Sequence, residues 1–513
     1  MTGAALPLPS HARRRWPDAI LLVASLGCTM TVLETNAVAV ALPGIARDLH
    51  AGFADVEWVV SAYILSFTSL LLPAGAVADR YGRRRVLLIG IALFALTSLL
   101  CALAPGAALL YLARALQGVG AAFLLAPSLS IIGHTYHQGI AKDTAWAFWG
   151  TAMGVMMVLS PLIGGLLSAL WGWRAVFIAI LPFLALLGYG TLRWIPESSD
   201  SVVRPLDPPG IVTFSAAIFG IVLFLVEGLA LGWSSAPALT GLGLAAVMAA
   251  AFVVVERTRP HPMVDLGLLA NPRFVGALIA MIGYSVSAQV MASMLPQYLQ
   301  NGIGLGVLAA GAGMLPFAAA MLLFPGVGRR LGRRLSSPAV LAIGLSVTAA
   351  GNAVAGLAAW CQLPWLALAA MVVIGAGGGL LNGETSKAII GTAPRERAGM
   401  ASGISATTRF VGILLGFTVL SSALSLGIRR SLSAAVPPHD VLPMADAIAA
   451  GTYADAHAAT FARVIYSHGF ANALWTSACA ALLASLAVML LGRTRPVATA
   501  AVLPHHPDSQ TCD

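Results

Sequence analysis

Charge is what this chain has least of. Only 10% of its 513 residues are charged, where a soluble domain carries about 25%, and 58% are hydrophobic. A water-soluble globule of that composition would expose far too much apolar surface, so that class is excluded. Lysine is nearly absent, with Lys142 and Lys387 the only two. A phosphate-cradling loop needs Gly-Lys-Ser/Thr, yet these lysines follow Ala141 and Ser386, which argues against ATP hydrolysis. The HExxH and GxSxG constellations are missing as well, so the chain is expected not to be an enzyme. Five cysteines (Cys28, Cys101, Cys361, Cys479 and Cys512) are scattered without a CxxC pair. Neither a disulfide framework nor a zinc site is therefore expected. His134 and His137, three apart, and His505 and His506 in the tail are read as holding no metal.

What the chain has is apolar length. A bilayer core takes about 20 residues of helix. On that ruler spans fall near 19–42, 57–78, 86–104, 109–132, 145–169, 176–194, 210–231, 238–255, 274–296, 307–325, 338–358, 364–383, 399–424 and 469–491. That makes about fourteen, the mark of an all-α polytopic membrane protein. The first run follows Arg13, Arg14 and Arg15 and exceeds the about 7–15 residues of a signal-peptide core, so it is expected to be an uncleaved span. The 53 glycines suit helices that approach closely in lipid.

Topology follows from the cations, because Arg-rich short loops stay cytoplasmic. With fourteen spans and the N-terminus inside, Arg47, Arg174, Arg429, Arg430 and Arg463 fall outside and Arg114 and Arg409 within spans, leaving 22 of the 29 inside. Both termini are thus expected in the cytoplasm. Because the arginines sit in short loops, the net charge of +9 reflects orientation and not a nucleic-acid partner.

The segment GAVADRYGRRR, Gly75–Arg85, follows the second span. PGVGRRLGRR, Pro325–Arg334, follows the tenth, 250 residues later, with Arg329 where the first copy has Asp79. Six spans with loops need roughly 200 residues, and the excess matches the pair at 210–255. The expected organisation is a cytoplasmic segment 1–18, a six-helix bundle 19–196, a linker 197–260 carrying two inserted spans, a second bundle 261–492 and a cytoplasmic tail 493–513. The second bundle includes a polar extracytoplasmic loop, 427–467, with room for a short surface helix. Repeated halves place a substrate site between them near the midplane.

Glu34 and Arg114 are the charged residues that matter most inside the spans. At 1.5 Å per residue Glu34 lies about 12 Å, and Arg114 about 10 Å, in from the outer side. A charge at mid-bilayer costs roughly 2.5–3.5 kcal/mol, so two opposite charges at one depth are expected to couple. One acid contested by a proton and a cationic substrate is the core of an antiport mechanism; the alternative is a static ion pair. Arg409, near mid-depth in the thirteenth span, needs an acid, a carbonyl or water. Glu227, in the inserted pair, is the other acid well inside a span. Tyr63, Trp146, Trp149, Tyr284, Gln289 and Asn382 are candidates to line a cavity, as is Gln117. Pro161, among Gly150, Gly154, Gly164 and Gly165, bends a helix whose smooth face serves either as a hinge between bundles or as plain packing. In the loop Gly75, Asp79, Arg80, Gly82, Arg83, Arg84, the arginines follow a helix C-terminus, where cations are favoured, and Asp79 is placed to cap a neighbouring helix. The loop serves orientation alone or also acts as a latch.

Several of these stretches resemble the fourteen-helix drug:proton antiporters of the major facilitator superfamily. Gly75–Arg84 is similar to that superfamily's signature loop, and LETNAVAVALPGI to its acidic first helix, with Glu34 where Asp is usual. ARALQGVGAA matches Arg-x-x-Gln-Gly through Arg114, Gln117 and Gly118. GTAMGVMMVLSPLIGG matches Gly-Pro-x-x-Gly-Gly through Pro161, Gly164 and Gly165, with Ser160 for the first Gly. WGWRAVFIAILPF resembles the entry to the sixth helix, and GMASGISATTRFVGILLG the glycine-rich helix that carries an internal arginine, here Arg409. The resemblance implies the major facilitator fold and alternating access, with a gate latch at Asp79 and export driven by the proton gradient without a cofactor. Its implied partners are the lipid bilayer, protons and a drug-like or toxic amphipathic small molecule, handled by a monomer in the cytoplasmic membrane. Sodium coupling, a dedicated metabolite exporter and a non-transporting receptor of the same fold remain the alternatives.

Overall fold

The computed structural model describes residues 18–136, 139–199, 207–259, 266–392, 398–433, 435–452 and 456–492. His137, His505, His506 and the arginines at 13–15, 204, 395, 397, 493 and 495 lie outside them. Among the described residues there are nineteen α-helices and no strand. The first half is α1 (Ala19–Asp48), α2 (Phe53–Tyr81), α3 (Arg83–Ala102), α4 (Ala107–Thr135), α5 (Gly139–Trp171) and α6 (Arg174–Trp194). The inserted pair is α7 (Pro208–Leu231) and α8 (Ala236–Thr258). The second half opens with α9 (Pro272–Tyr284) and α10 (Val290–Gln297), each followed by a π turn, Ser285–Gln289 and Tyr298–Gly302. It continues through α11 (Val307–Gly313), α12 (Leu315–Leu323), α13 (Pro325–Leu331), α14 (Ser337–Trp360), α15 (Pro364–Leu381), α16 (Glu384–Thr392), α17 (Ala398–Ser433), α18 (Pro438–Ala450) and α19 (Ala456–Gly492).

Fourteen stretches are long and apolar enough to cross a membrane, because α18 is too short and three spans are assembled from pieces, the first being Pro272–Gly302 with α9, α10 and their π turns. Pro316 and Pro325 cannot donate to the preceding turn, so α11, α12 and α13 share one crossing. Gly383, at φ 89°, separates α15 from α16. The caps follow from short polar side chains at the starts: Asp18, Asp207, Ser235 and Asn271 accept from the first-turn amides of α1, α7, α8 and α9. The expected loop 427–467 is mostly helical. α17 runs on to Ser433, α19 begins at Ala456 and α18 lies between them. Charge there signals water, but water does not end a helical hydrogen-bond ladder.

The halves repeat in their packing. In the first, α4 lies so close to its neighbours that a Cβ on Gly120 would meet Phe94 N of α3 at 2.8 Å, and one on Gly118 would run into the Tyr63 carbonyl of α2. In the second, Gly377 and Gly375 of α15 approach the Thr348 backbone of α14 and the Phe317 carbonyl of α12 in the same way. The inserted helices pack on each other through Gly220 and Gly241. α7 also rests on α2 and α17, with Trp58 and Phe219 6.1 Å apart.

Contacts between the halves lie from mid-depth outward. Gln300 Nε2 donates to Val40 O at 2.8 Å. Pro161 and Gly165 of α5 meet α11 at Gly311 and Val307, and Phe67 of α2 meets Phe410 of α17 edge-on at 4.4 Å. α18 covers the outer ends of α1, α2 and α17. Toward the inner end of α5, Gly150 is exposed and faces open space. On the outer side of this multi-pass membrane protein the halves thus touch, beside a cleft at the ends of α1, α5 and α11 lined by Arg47, Asp48, Trp171 and Val307.

Candidate functional site

Glu34 of α1 and Arg114 of α4 form an ion pair in the core of the first half, each only 2% exposed. The guanidinium is held on every side. Nε donates to Val59 O of α2 at 3.0 Å, and Nη1 also donates to Gln117 Oε1 at 2.7 Å. The plane lies over the Tyr63 ring, 4.2 Å from its centroid. Gln117 Nε2 in turn donates to Ser98 Oγ of α3 at 2.8 Å, and that hydroxyl donates to Phe94 O at 2.7 Å. Four helices thus fix one arginine. Glu34 Oε2 is buried outside the ion pair, and the acid also faces the Tyr63 hydroxyl, so one oxygen is not held by the arginine. Gln117 and Tyr63, expected to line a cavity, are fully buried and serve as the arginine's supports instead; their positions around α4 and α2 turn them inward.

Arg409 lies in the other half, on α17. Its Nη2 donates to Ser386 Oγ of α16 at 3.2 Å, that oxygen also accepts from Ser405 Oγ at 2.9 Å, and the guanidinium carbon is 5.9 Å from the Tyr284 ring centroid. No carboxylate among the described residues pairs with it. Glu227 is half-buried on α7, also without an ion pair there. The structure therefore brings Glu34 to Arg114 and leaves Arg409 and Glu227 unjoined. Of the other candidates, Trp149 packs edge-on against Trp146 at 5.4 Å. Gln289 closes the first π turn, and Asn382 is exposed at the end of α15.

The stretch expected as a loop is helical except at Gly82, with Gly75, Asp79 and Arg80 on α2 and Arg83 and Arg84 on α3, and it folds back on its own half. Arg83 bonds Asp79 at 2.8 Å, and Arg80 lies 5.4 Å from the Tyr81 ring centroid. Gly82 turns the chain at φ 106°. Gly75 on α2 has room, since a Cβ added there would stand 3.9 Å from its nearest neighbour, Ala126 Cβ. The expected cap from Asp79 is supplied by a different acid. Glu197, just past α6, accepts from the Arg84 and Arg85 amides at 3.1 and 3.2 Å, and Arg84 Nη2 donates to Leu192 O at 2.7 Å. Asp79, in the last turn of α2, is taken by the Arg83 side chain across the Gly82 turn. Glu197 follows a proline at a span end, a setting in which a sequence offers no sign of its partner.

On α5 the adjacent glycines face opposite ways. A Cβ on Gly164 would stand 2.6 Å from Ala37 Cα of α1, in the same half. One on Gly165 would stand 3.0 Å from Val307 O of α11, in the other. Gly154 lies beside Leu322 of α12. The helix therefore seals one half internally and touches the other along its outer part. Sequence reasoning missed Gln300, because the ninth span was expected to end at 296 and runs on to Gly302, and Glu57 of α2, which is 2% exposed.

The sequence model described as the Major Facilitator Superfamily matches residues 24–417. The chain is 34% identical over 420 residues to the multidrug resistance protein Stp of Mycobacterium tuberculosis, covering 82% of this chain and 77% of Stp. It is 28% identical to the tetracenomycin C resistance and export protein of Streptomyces glaucescens, covering 96% and 94% of the two chains. Among solved structures, the peptide transporter POT in complex with sulfate superposes with a TM-score of 0.65 over 94% of this chain and 96% of that one, at 14% identity, a likeness of fold.

Proposed function

Since the chain belongs to the Major Facilitator Superfamily of transporters, we propose that it exports drug-like or toxic amphipathic compounds across the cytoplasmic membrane in exchange for protons. The observation that carries this reading is the buried Glu34–Arg114 pair with one glutamate oxygen outside the ion pair. Arg114 stays charged at any physiological pH. Glu34 can therefore change its proton without losing its anchor, and the proton and a cationic substrate compete for one acid. The resistance and export roles carried by Stp and the tetracenomycin protein support export as the direction of transport. The contacts between the halves at Gln300–Val40 and Phe67–Phe410 support an inward-facing stage of alternating access, in which substrate enters from the cytoplasm. The monomer is the transporting unit, and the ion gradient takes the place of a cofactor.

The test uses inside-out vesicles loaded with a pH dye. Wild type is expected to take up a cationic dye such as ethidium when a proton gradient is imposed and to release protons when ethidium is added. Glu34→Gln is expected to lose both by at least about tenfold. Full proton-coupled uptake by Glu34→Gln would refute the assignment. The tetracenomycin relative favours a second reading, a dedicated exporter of one compound. Under that reading, expression in a pump-deficient host would protect against a single compound and not against a panel.

A further inference from the structure

Glu57 sits five residues into α2, where the first half meets α17 of the second. It is 2% exposed, and neither carboxyl oxygen has a hydrogen bond. The polar side chain facing it is Thr418 of α17, whose hydroxyl also lies 3.1 Å from Leu414 O. With one proton, that hydroxyl can donate to Leu414 or to Glu57 but not to both. No charged group among the described residues faces Glu57 from its neighbours. Arg114 of α4 bonds Val59 and Glu34 on another face of α2, and Tyr111 lies a turn before it on α4. Arg429 of α17 faces Asp446 of α18, where His439 meets Asp440. Asp48 of α1 is bound by Arg174, Cys101 of α3 lies against Gln117, and Glu227 of α7 has no ion pair. An ionised carboxylate buried without a cation, and with one contested hydroxyl beside it, is strongly disfavoured, whereas a protonated one carries no charge and brings a donor of its own.

We propose that Glu57 is a second proton site, and that taking up a proton from the outer phase is the condition for α2 and α17 to close. Glu57 and Thr418 belong to different halves. Rocking that opens the outer side parts them and admits water, in which the carboxylate ionises. Closing the seam on that charge, with no counter-charge present, is blocked until a proton arrives. The site rests on the proton-coupled reading above but acts at the outer gate, about 15 Å along α2 from the Phe67–Phe410 contact at 1.5 Å per residue.

The experiment places spin labels at Gly52 and Ser433, both exposed, in full-length protein without native cysteines, held in lipid nanodiscs. Inter-label distances are measured across the pH range. In wild type the ratio of outer-open to outer-closed molecules is expected to rise with pH, by about tenfold per pH unit above the midpoint for a single proton. Glu57→Gln is expected to stay closed at every pH. Glu57→Asp is expected to keep the dependence, and Thr418→Val, which removes the one polar neighbour, to move the midpoint. Opening that still follows pH in Glu57→Gln would overturn the proposal, as would an unmoved midpoint in Thr418→Val. Glu34→Gln is expected to lose proton-driven uptake while keeping the pH-dependent seam. A failure of proton coupling in the vesicle assay is thereby distinguished from a failure of this site.

Discussion

At the scale of single residues, the cost of change follows from how each group is satisfied. Arg114 has an acid, an amide, a carbonyl and an aromatic face around it. Arg114→Ala is expected to leave Glu34 buried and unpaired, a loss of about 3–5 kcal/mol, seen as a collapse of monodisperse protein after detergent extraction. Gly82→Ala is expected to lower the thermal unfolding midpoint, by about 1–2 kcal/mol of stability for a side chain in left-handed territory, because a Cβ there also meets Glu197 Oε1 at 2.6 Å. Gly75→Ala, at a roomy position within a helix, is expected to be neutral or to stabilise by up to about 1 kcal/mol. Counting residues in from the span ends was enough to put Glu34 and Arg114 at one depth. Counting could not reveal that Gln117 and Tyr63 turn toward the arginine, because that depends on rotation about each helix axis. Nor did it single out Glu57, which stands where the second span was expected to begin, a place where charge is ordinary.

At the scale of elements, α5 separates two roles that its sequence merges. Gly164 packs inside its own half and Gly165 against the other. Overpacking costs about 1–3 kcal/mol. Gly164→Val is expected to apply that cost in every conformation and so to reduce folded protein. Gly165→Val applies it only when the outer side is closed. It is expected to shift the population toward outer-open by about tenfold or more, with folded yield preserved, as read by the Gly52–Ser433 label distance. The Gly- and Pro-rich pattern signalled close packing and a bend, but either partner would have produced it.

At the scale of the whole molecule, span number and sidedness make one falsifiable statement. Cys361 is exposed at the turn between α14 and α15, whereas Cys479 is exposed on the apolar α19. A membrane-impermeant maleimide applied to intact cells is expected to label Cys361 from outside, and Cys361→Ser is expected to abolish the signal. Labelling of Cys361 only after lysis would invert the topology. The inserted pair adds a constraint of its own, since α7 rests on both α2 and α17 and so flanks the seam that holds Glu57.

Hydropathy and charge are properties of position along the chain. A bilayer selects on both directly, so the span count and the helix pair inserted between two like-packed halves could be read from the sequence. The meetings of side chains belong to rotation, tilt and the fit of one helix on another. Only the tertiary structure decided that Glu197 and not Asp79 caps α3, that four helices converge on Arg114, and that Glu57 is closed against Thr418 with no cation beside it. A one-dimensional pattern sets how deep a residue lies but not which way it faces, and in a low-dielectric bundle the facing decides which charges are paired.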